Sequence, residues 1–537
     1  MKYKVCLQAA GVGSRLTAAK DLHKALIPLN QKSTLSRIIE LFPKDTSFVV
    51  LVGYRSEQII SFINARYPHL DITFVKIKNY NGKGSGPGHS LLKARSHFQE
   101  PFIFIACDTI VFKRPPLPSE NWIGTSTVKN PESYLIIESM NGLMTSYYDK
   151  KNEKYILSKS DKYKKDSENN YKAFIGLAGV FDYKDFWKGL SENKNLVNNE
   201  TQVTGGFSQL LRNNKHVRTK KFKWIDTGND KSYFLAKKFF KDNFLLKTDE
   251  YFYKEDKQVI KFFIDSSKAK KRFERSKYLK NIVPETYISG NNLIWYNFVE
   301  GRLLSDTNEK KVFTNFLDFC EKDIWSKKNT NKSIVHKLTR QCMSFYKDKT
   351  YKRVKSYLHK NKDLNKIKYI NNEKVDSIFI ILKKINWDYL SNGDFAYFHG
   401  DPQPENVIVR NKNKFSMIDW REDFGGNTKF GDVYYDFGKI YHSLILTQEK
   451  IRQKKYYVNY DNQKANYMFS KRRNLMKYLI YFEEFLLKNN YDLFKVKLIS
   501  ALIYLNIAPL HHHPYSDLLF FNGKLCLHQL LKQKLKT

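Results

Sequence analysis

Over the first 240 residues, short apolar runs alternate with segments of helical period. Residues 3–8, 47–52, 72–76 and 102–106 are runs of β-branched, aliphatic and aromatic residues of strand length. Between them, residues 35–41 and 56–67 repeat their apolar positions every three or four residues, the spacing of a helix with one buried face. Strand and helix in alternation predict an α/β domain with a largely parallel sheet. A helix over 231–243 closes it. The span 150–170, KKNEKYILSKSDKYKKDSENN, is polar and lysine-rich and predicts an exposed hairpin or flexible loop. From residue 251 the pattern changes to alternating polar and apolar residues, YFYKEDKQVIKFF, which predicts a β-hairpin. Residues 310–390 then read as helical. The segment 499–521, ISALIYLNIAPLHHHPYSDLLFF, is the most apolar of all and predicts buried helix. No repeat of 20 to 50 residues is visible. A domain boundary is expected within 242–249, giving domains of 1–243 and 244–537.

Composition agrees with this picture. At 537 residues the chain exceeds one ordinary core, and 42% hydrophobic with 15% aromatic residues can fill two interiors. No run of roughly 18 apolar residues stands out, so no membrane span is expected. The start, MKYKVCLQAAGVGS, enters a strand directly without the regions of a secretory signal, and a cytoplasmic location is expected. Five cysteines are scattered without C-x-x-C spacing and read as core thiols rather than a zinc site or disulfide framework. The net charge of +39 would suit a nucleic-acid binder. Its lysines, however, are spread along the whole chain among Tyr, Phe, Asn and Ile, as an AT-rich coding sequence also produces. A solvated basic surface with some attraction for anionic substrates is the plainer account, and no nucleic-acid partner is expected. Oligomerisation stays open.

Candidate chemistry begins directly after the first strand, at QAAGVGSRLTAAKDLHK. Gly11, Val12, Gly13 and Ser14 form a turn in which backbone N–H groups can approach phosphate oxygens. Arg15 and Lys24 add positive charge. A lone G-x-G is common in tight turns, but three features join it. SGPGHSLL supplies Gly86 and Gly88 in a second turn suited to a base-contacting loop. FIFIACDTIV sets Asp108 at the end of a buried strand, where ligands bind in open α/β sheets. KWIDTGN sets Asp226 after another apolar run, and two strand-end carboxylates can share one magnesium ion. Either aspartate alone would read more simply as a turn or capping residue.

Together, AAGxGSR, the following lysine, the strand-end aspartate and W-x-D-x-G resemble the sugar-phosphate nucleotidyltransferases. That family includes glucose-1-phosphate thymidylyltransferases and phosphocholine cytidylyltransferases. The resemblance covers about residues 1–240 and implies a Rossmann-like, GT-A-like mixed sheet. It further implies a triphosphate cradled by residues 11–15, Lys24 on phosphate, Gly86 and Gly88 near the base, and magnesium on Asp108 and Asp226. One departure is His23, where the family usually carries proline before the lysine.

The last third holds a second constellation, FHGDPQPENVIVRNKNKFSMIDW. Asp401 and Asn406 have the D-x-x-x-x-N spacing of a phosphoryl-transfer loop, and an apolar run then delivers Asp419. Gly431-Asp432 and Asp436 follow as G-D-x-x-x-D. The three blocks resemble the choline kinase and aminoglycoside phosphotransferase family, whose fold is that of the protein kinases, over about residues 250–537. The resemblance implies a strand-rich lobe at about 250–300 and a helical lobe at about 301–537. It implies Asp401 at the acceptor hydroxyl, Asn406 and Asp419 on magnesium, and Lys261 on ATP phosphates paired with Glu274. YNFVEG (296–301) would be the hinge over the adenine. His399 reads as a brace for the loop rather than a base, and Asp432 and Asp436 as structural anchors.

Trp420, Arg421, Tyr434, Tyr435 and the HHHPY cluster are candidates for the acceptor pocket. The aromatics would suit a quaternary ammonium, with core packing as the plainer account. Adjacent histidines on a helix point in different directions, which argues against a metal site there. The combined expectation is a bifunctional enzyme using Mg2+, ATP and an NTP, with CTP favoured. It would phosphorylate a small alcohol or sugar and then couple the phosphate to a nucleotide. Choline is the leading acceptor, while Arg421 favours an acidic or sugar acceptor. A single active site, or a non-catalytic basic scaffold, are the alternatives.

Overall fold

The computed structural model describes residues 3–148, 170–194, 196–242, 249–326, 331–410 and 414–534. The loop expected over 150–170 and most of the boundary expected within 242–249 therefore lie outside the described residues. Two compact units emerge, residues 1–266 with 288–295, and 267–287 with 296–537.

The first unit is built on a nine-stranded mixed sheet. In spatial order its strands are Ile72–Lys76, Ser47–Val52, Lys4–Ala9, Phe102–Ala106, Tyr171–Val180, Asn121–Val128, Val217–Lys221, Leu143–Tyr148 and Ile136–Met140. The first four are parallel, as the alternating pattern predicts, because each return passes through a crossover. Tyr171–Val180 then runs antiparallel to both of its long neighbours, which makes the sheet mixed. Helices Ser56–Arg66 and Asp230–Phe239 fall close to the expected spans.

The alternating segment forms the hairpin Glu250–Glu255 and Gln258–Phe263, turning through Asp256 at φ +49°. It groups with the first unit rather than opening the second. Tyr251, Tyr253, Ile260, Phe262 and Leu293 belong to the same buried cluster as Val5, Leu7 and Leu26. Tyr253 Oη donates to Leu26 O at 2.6 Å. The Glu255 carboxylate accepts from Ser33 N at 2.8 Å and pairs with Arg66. Ser289 Oγ donates to Ser61 O at 2.8 Å, and Phe263 N to Asn292 O at 2.8 Å.

The second unit is mainly helical, with helices Lys310–Cys320, Lys332–Met343, Lys349–Lys360, Val433–Ile445, Arg473–Lys488, Leu493–Ile507 and Tyr515–Lys534. Small sheets carry its loops, among them Arg302–Leu303, Val407–Val409 and Phe415–Met417 side by side. Among the described residues one window, Leu493–Leu510, is by length and composition apolar enough to cross a membrane, contrary to the expectation that none would be. Two-thirds of that window (67%) is buried inside the protein, as befits a core helix. Histidines 511–513 lie in the turn before the last helix, not on a helix as the directional argument assumed. His513 pairs with Asp517 and His511 packs on Tyr515. Cys6, Cys107, Cys320 and Cys342 are buried free thiols.

Candidate active sites

In the first unit, the strand Lys4–Ala9 delivers the glycine turn to a cleft of about 360 Å³. Gly11, Val12, Gly13, Ser14, Arg15, Lys24, Gly86, Asp108 and Asp226 all line it. Gly13 has φ +66°, and a Cβ there would come within 2.9 Å of Lys24 Cδ. The glycine thus leaves the channel through which the lysine stem reaches Asp108, with Nζ 2.7 Å from Oδ2.

Asp226 arrives by strand register. Trp224–Asp226 pairs antiparallel with Thr109–Val111, setting Asp226 opposite Thr109 and so beside Asp108. Between the two carboxylates stands Gly228, where a Cβ would lie 2.9 Å from Asp108 Oδ2 and 3.1 Å from Asp226 Oδ1. Burial pushes the Asp108 carboxyl up, but the Lys24 ammonium outweighs it and holds the group below the usual carboxylate range. Asp226, partly buried and facing Asp108, is raised by that burial and by the neighbouring carboxylate. Burial lowers Lys24, yet Asp108 raises it further, so the ammonium is the form present. Tyr134 Oη donates to Asp226 Oδ2 at 3.3 Å, and its own phenol is pushed up to about 12 by burial and Asp226.

Adjacent hard carboxylates facing a cleft that already holds a cation fit a magnesium ion, which prefers carboxylate, phosphate and water oxygens. Among the described residues no group of three or more His, Cys, Asp or Glu could hold a metal. Two aspartates would therefore leave the remaining coordination positions to phosphate and water.

His23, the departure from the family pattern, has a role of its own. Its Nδ1 accepts from Ala25 N at 3.1 Å and caps the short helix Lys24–Leu26, while its backbone N–H donates to Gln58. Burial and the neighbouring Lys24 lower it to about 3, so the ring stays neutral and acts as a cap. Sequence reasoning missed Asp230. Its carboxylate accepts from Thr17 N at 2.8 Å, Ala18 N at 2.9 Å and Thr17 Oγ1 at 2.6 Å, pinning the loop that follows Arg15. The signal was present as Asn-Asp at a helix start, a capping pair rather than a catalytic motif. Gly88 is not at the cleft. A Cβ there would meet Gln202 O at 2.5 Å, so this glycine permits close packing of helix Pro87–Lys93 instead of contacting a base.

In the second unit, backbone bonds draw the motif residues together. The buried Asp436 carboxylate accepts from His399 N at 2.8 Å, Gly400 N at 2.6 Å and Trp325 Nε1 at 3.2 Å, fixing the loop that carries Asp401. Asn406 Nδ2 donates to Asp401 O at 3.1 Å, and Ile418 N to Asn406 O at 2.9 Å, which brings Asp419 to the same place. Asp419 has φ +61°, a left-handed backbone uncommon outside glycine. Asp401 Oδ1 lies 2.8 Å from Lys439 Nζ, and this ammonium, outweighing burial, holds Asp401 below the usual range. Lys439 escaped the sequence reading because it sits in an ordinary helical stretch 38 residues beyond Asp401. His399 is buried and lowered to about 3 by that burial; its Nδ1 accepts from Asp401 N, so it braces the loop. Asp432 accepts from Tyr346 Oη, Asp394 N and Tyr434 N. Asn406 and Asp419 supply an amide and a carboxylate, oxygen donors of the kind magnesium takes.

Several expected pocket residues lie elsewhere. Trp420 is 1% exposed, packs on Tyr296 and donates Nε1–H to Arg272 O at 2.9 Å, so it fills core. Tyr434 packs against Phe437 and Tyr491 with Lys495 over its ring. Tyr435, one residue on and so rotated about the helix, lines a cavity with Arg421 and Lys439. Glu274 is exposed and accepts from Thr428 Oγ1 at 3.1 Å; the buried cation of its helix is Arg275, which donates to Phe398 O and Thr428 O. Lys261 is 2% exposed in the strand Gln258–Phe263, with its ammonium 5.9 Å from the Phe252 ring.

Residues 5–117 match the MobA-like NTP transferase domain. No curated protein matches the chain. Solved structures similar to it include UDP-glucose pyrophosphorylase in complex with UDP-glucose, 20% identical with a TM-score of 0.36, spanning 45% of this chain and 100% of that one. CTP:phosphocholine cytidylyltransferase from Streptococcus pneumoniae is 15% identical with a TM-score of 0.36, over 44% and 99% of the two chains. The inositol-1-phosphate CTP transferase from T. maritima is 11% identical with a TM-score of 0.33, over 46% and 98%. The family match and the mixed nine-stranded sheet make the first unit a mixed α/β domain of NTP-transferase type.

Proposed function

We propose that this chain is a bifunctional enzyme. Its second unit phosphorylates a small hydroxyl compound with ATP, and its first transfers a nucleotidyl group from an NTP, CTP favoured, onto the resulting phosphate. The product would be an NDP-activated group of the kind consumed in surface-glycan assembly. The observation that carries the transferase half is the register that sets Asp226 beside Asp108, in a glycine-lined cleft entered by Lys24. The match of residues 5–117 to an NTP transferase domain supports it. The kinase half rests on the order of Asp401, Asn406, Asp419 and Asp436 and on the backbone bonds that gather them.

In the first site, an acceptor phosphate oxygen attacks the α-phosphorus, and the bond to the bridging oxygen of pyrophosphate breaks. The turn at residues 11–15 offers N–H donors to the phosphates, and Lys24 with Arg15 offsets charge accumulating there. Magnesium, when bound on Asp108 and Asp226, would add electrostatic screening of the triphosphate. In the second site Asp401 orients the acceptor hydroxyl, kept anionic by Lys439, while Asp436 holds its loop. Asn406 and Asp419 would hold the metal that screens the ATP phosphates.

The test is incubation of the full chain with magnesium, ATP, CTP and a panel of alcohols and sugars, following ADP and pyrophosphate separately. Asp401→Ala should abolish ADP release yet leave pyrophosphate release from a supplied phosphorylated acceptor; Asp226→Ala should do the reverse. Absence of pyrophosphate with every phosphorylated acceptor and nucleotide sinks the transferase half.

A further inference from the structure

Four basic side chains, Lys349, Arg353, Arg421 and Lys439, converge on one cavity of about 200 Å³ in the second unit, together with Phe345 and Tyr435. Lys439 also holds Asp401, so the cavity opens one side chain away from the carboxylate that orients the acceptor. Lys349 Nζ lies 3.2 Å from the Phe345 ring centroid and 5.8 Å from that of Tyr435. The Arg421 guanidinium lies over the same rings at 5.1 Å and 6.0 Å. Like charges gathered in a partly desolvated space repel, and an anion between them removes that cost.

The carboxylates acting on Arg421 are Glu422, Asp423 and Asp401, fewer than the cations gathered at the cavity. Lys439 is answered by Asp401. Arg421 reaches Glu422 only at 3.9 Å and gives its Nε–H to the Asp423 carbonyl. Arg353 donates to the carbonyl of Asn506 at 2.7 Å. Among the described residues Lys349 meets ring faces and no carboxylate within ion-pair distance. Burial, with Arg421 and Arg353 nearby, holds its ammonium well below the usual lysine range. A wider mouth of about 620 Å³ adjoins the cavity through Phe345 and Lys349 and adds two further cations, Lys337 and Arg340.

We infer that the acceptor phosphorylated at Asp401 is an alcohol bearing an oxyanion, a carboxylate or a phosphate, seated on Lys349, Arg353 and Arg421 with its hydroxyl toward Asp401. The inference rests on the kinase reading of this site and narrows it. A quaternary ammonium is unsuited: it would meet the Arg353 and Arg421 guanidiniums, and the ring faces of Phe345 and Tyr435 already carry Lys349 and Arg421. In the step itself, the acceptor oxygen bonds to the γ-phosphorus as the bond to the β,γ-bridging oxygen breaks. ADP leaves with that electron pair, and the hydroxyl proton passes to the Asp401 carboxylate and on to solvent.

The full chain with magnesium and ATP should be given glycerate, glycerol 3-phosphate, glycerol and choline, with ADP release measured for each. At least one of the two anionic alcohols should show a KM about tenfold or more below those of glycerol and choline. Which of the two it is tells carboxylate from phosphate. Lys349→Gln and Arg353→Gln should each raise that KM about tenfold while leaving the KM for ATP unchanged. Equal or better use of choline or glycerol overturns the inference while upholding the kinase. Should no alcohol give Asp401-dependent ADP, the kinase reading falls. Calorimetry with inorganic phosphate then decides the cavity by itself: binding lost in both variants upholds an anion site, and no binding to the unaltered protein refutes it.

Discussion

Lys24 owes its position to two neighbours, the bare Cα of Gly13 and the neutral ring of His23. Its removal leaves Asp108 and Asp226 facing each other without a cation. Lys24→Met should lower pyrophosphate release by roughly 10²–10³-fold, the usual cost of losing one preorganised charge-stabilising donor. Single-turnover kinetics will separate that loss from weaker NTP binding. The same pair sets a pH limb. Asp226 is raised by burial and by Asp108, so it takes up its proton at a higher pH than an ordinary aspartate does. Only its ionised form can hold a divalent cation. Transferase kcat/KM should therefore fall on acidification at a pH above the ordinary carboxylate range, and raising magnesium should shift the limb toward lower pH.

At the scale of elements, Asp436 ties the helix Val433–Ile445 to the loop of Asp401. Burial raises it to about 6, above the roughly 3.9 of an unfolded aspartate. Between those values the native state holds a proton that the unfolded chain has lost. Its contribution to stability is therefore fullest below the unfolded pKa and is lost as pH rises through about 6. That loss is on the order of 3 kcal/mol. Urea unfolding at pH 4.5 and 7 should show a smaller pH difference for Asp436→Asn, together with slower ADP release as the loop loosens. Elements of this kind were largely legible in the chain. The parallel strands and the hairpin declare themselves through periodicity, and the candidate loops stay contiguous because strand ends present them. What stayed hidden depends on pairing across distance or on rotation about a helix. Asp230 pins a loop 213 residues before it, and Lys439 meets Asp401 from a helix 38 residues further along the chain. Tyr434 and Tyr435 are adjacent aromatics whose roles a 100° helical turn exchanges, and Trp420 looks the same in sequence whether it faces a pocket or a core.

For the whole molecule, the composition shift near residue 243 marks a change of pattern, but the core of the first unit does not end there. Tyr251, Tyr253, Ile260, Phe262 and Leu293 complete it. At roughly 1.5–3 kcal/mol for each fully buried large side chain, their removal rivals the ~5–15 kcal/mol net stability of a domain. A fragment of residues 1–242 should accordingly unfold at far lower urea than the first unit in the intact chain, or fail to fold. Near-UV circular dichroism and a fluorescence titration will show which. The division of the chain, 1–266 with 288–295 against 267–287 with 296–537, also bears on synthesis. Domains commonly fold as they leave the ribosome, the first before the second. Here the first unit must wait for residues 288–295, by which time 267–287, belonging to the other unit, have already emerged. The two units are thus interleaved in the order of translation, and no single cut in the gene separates them.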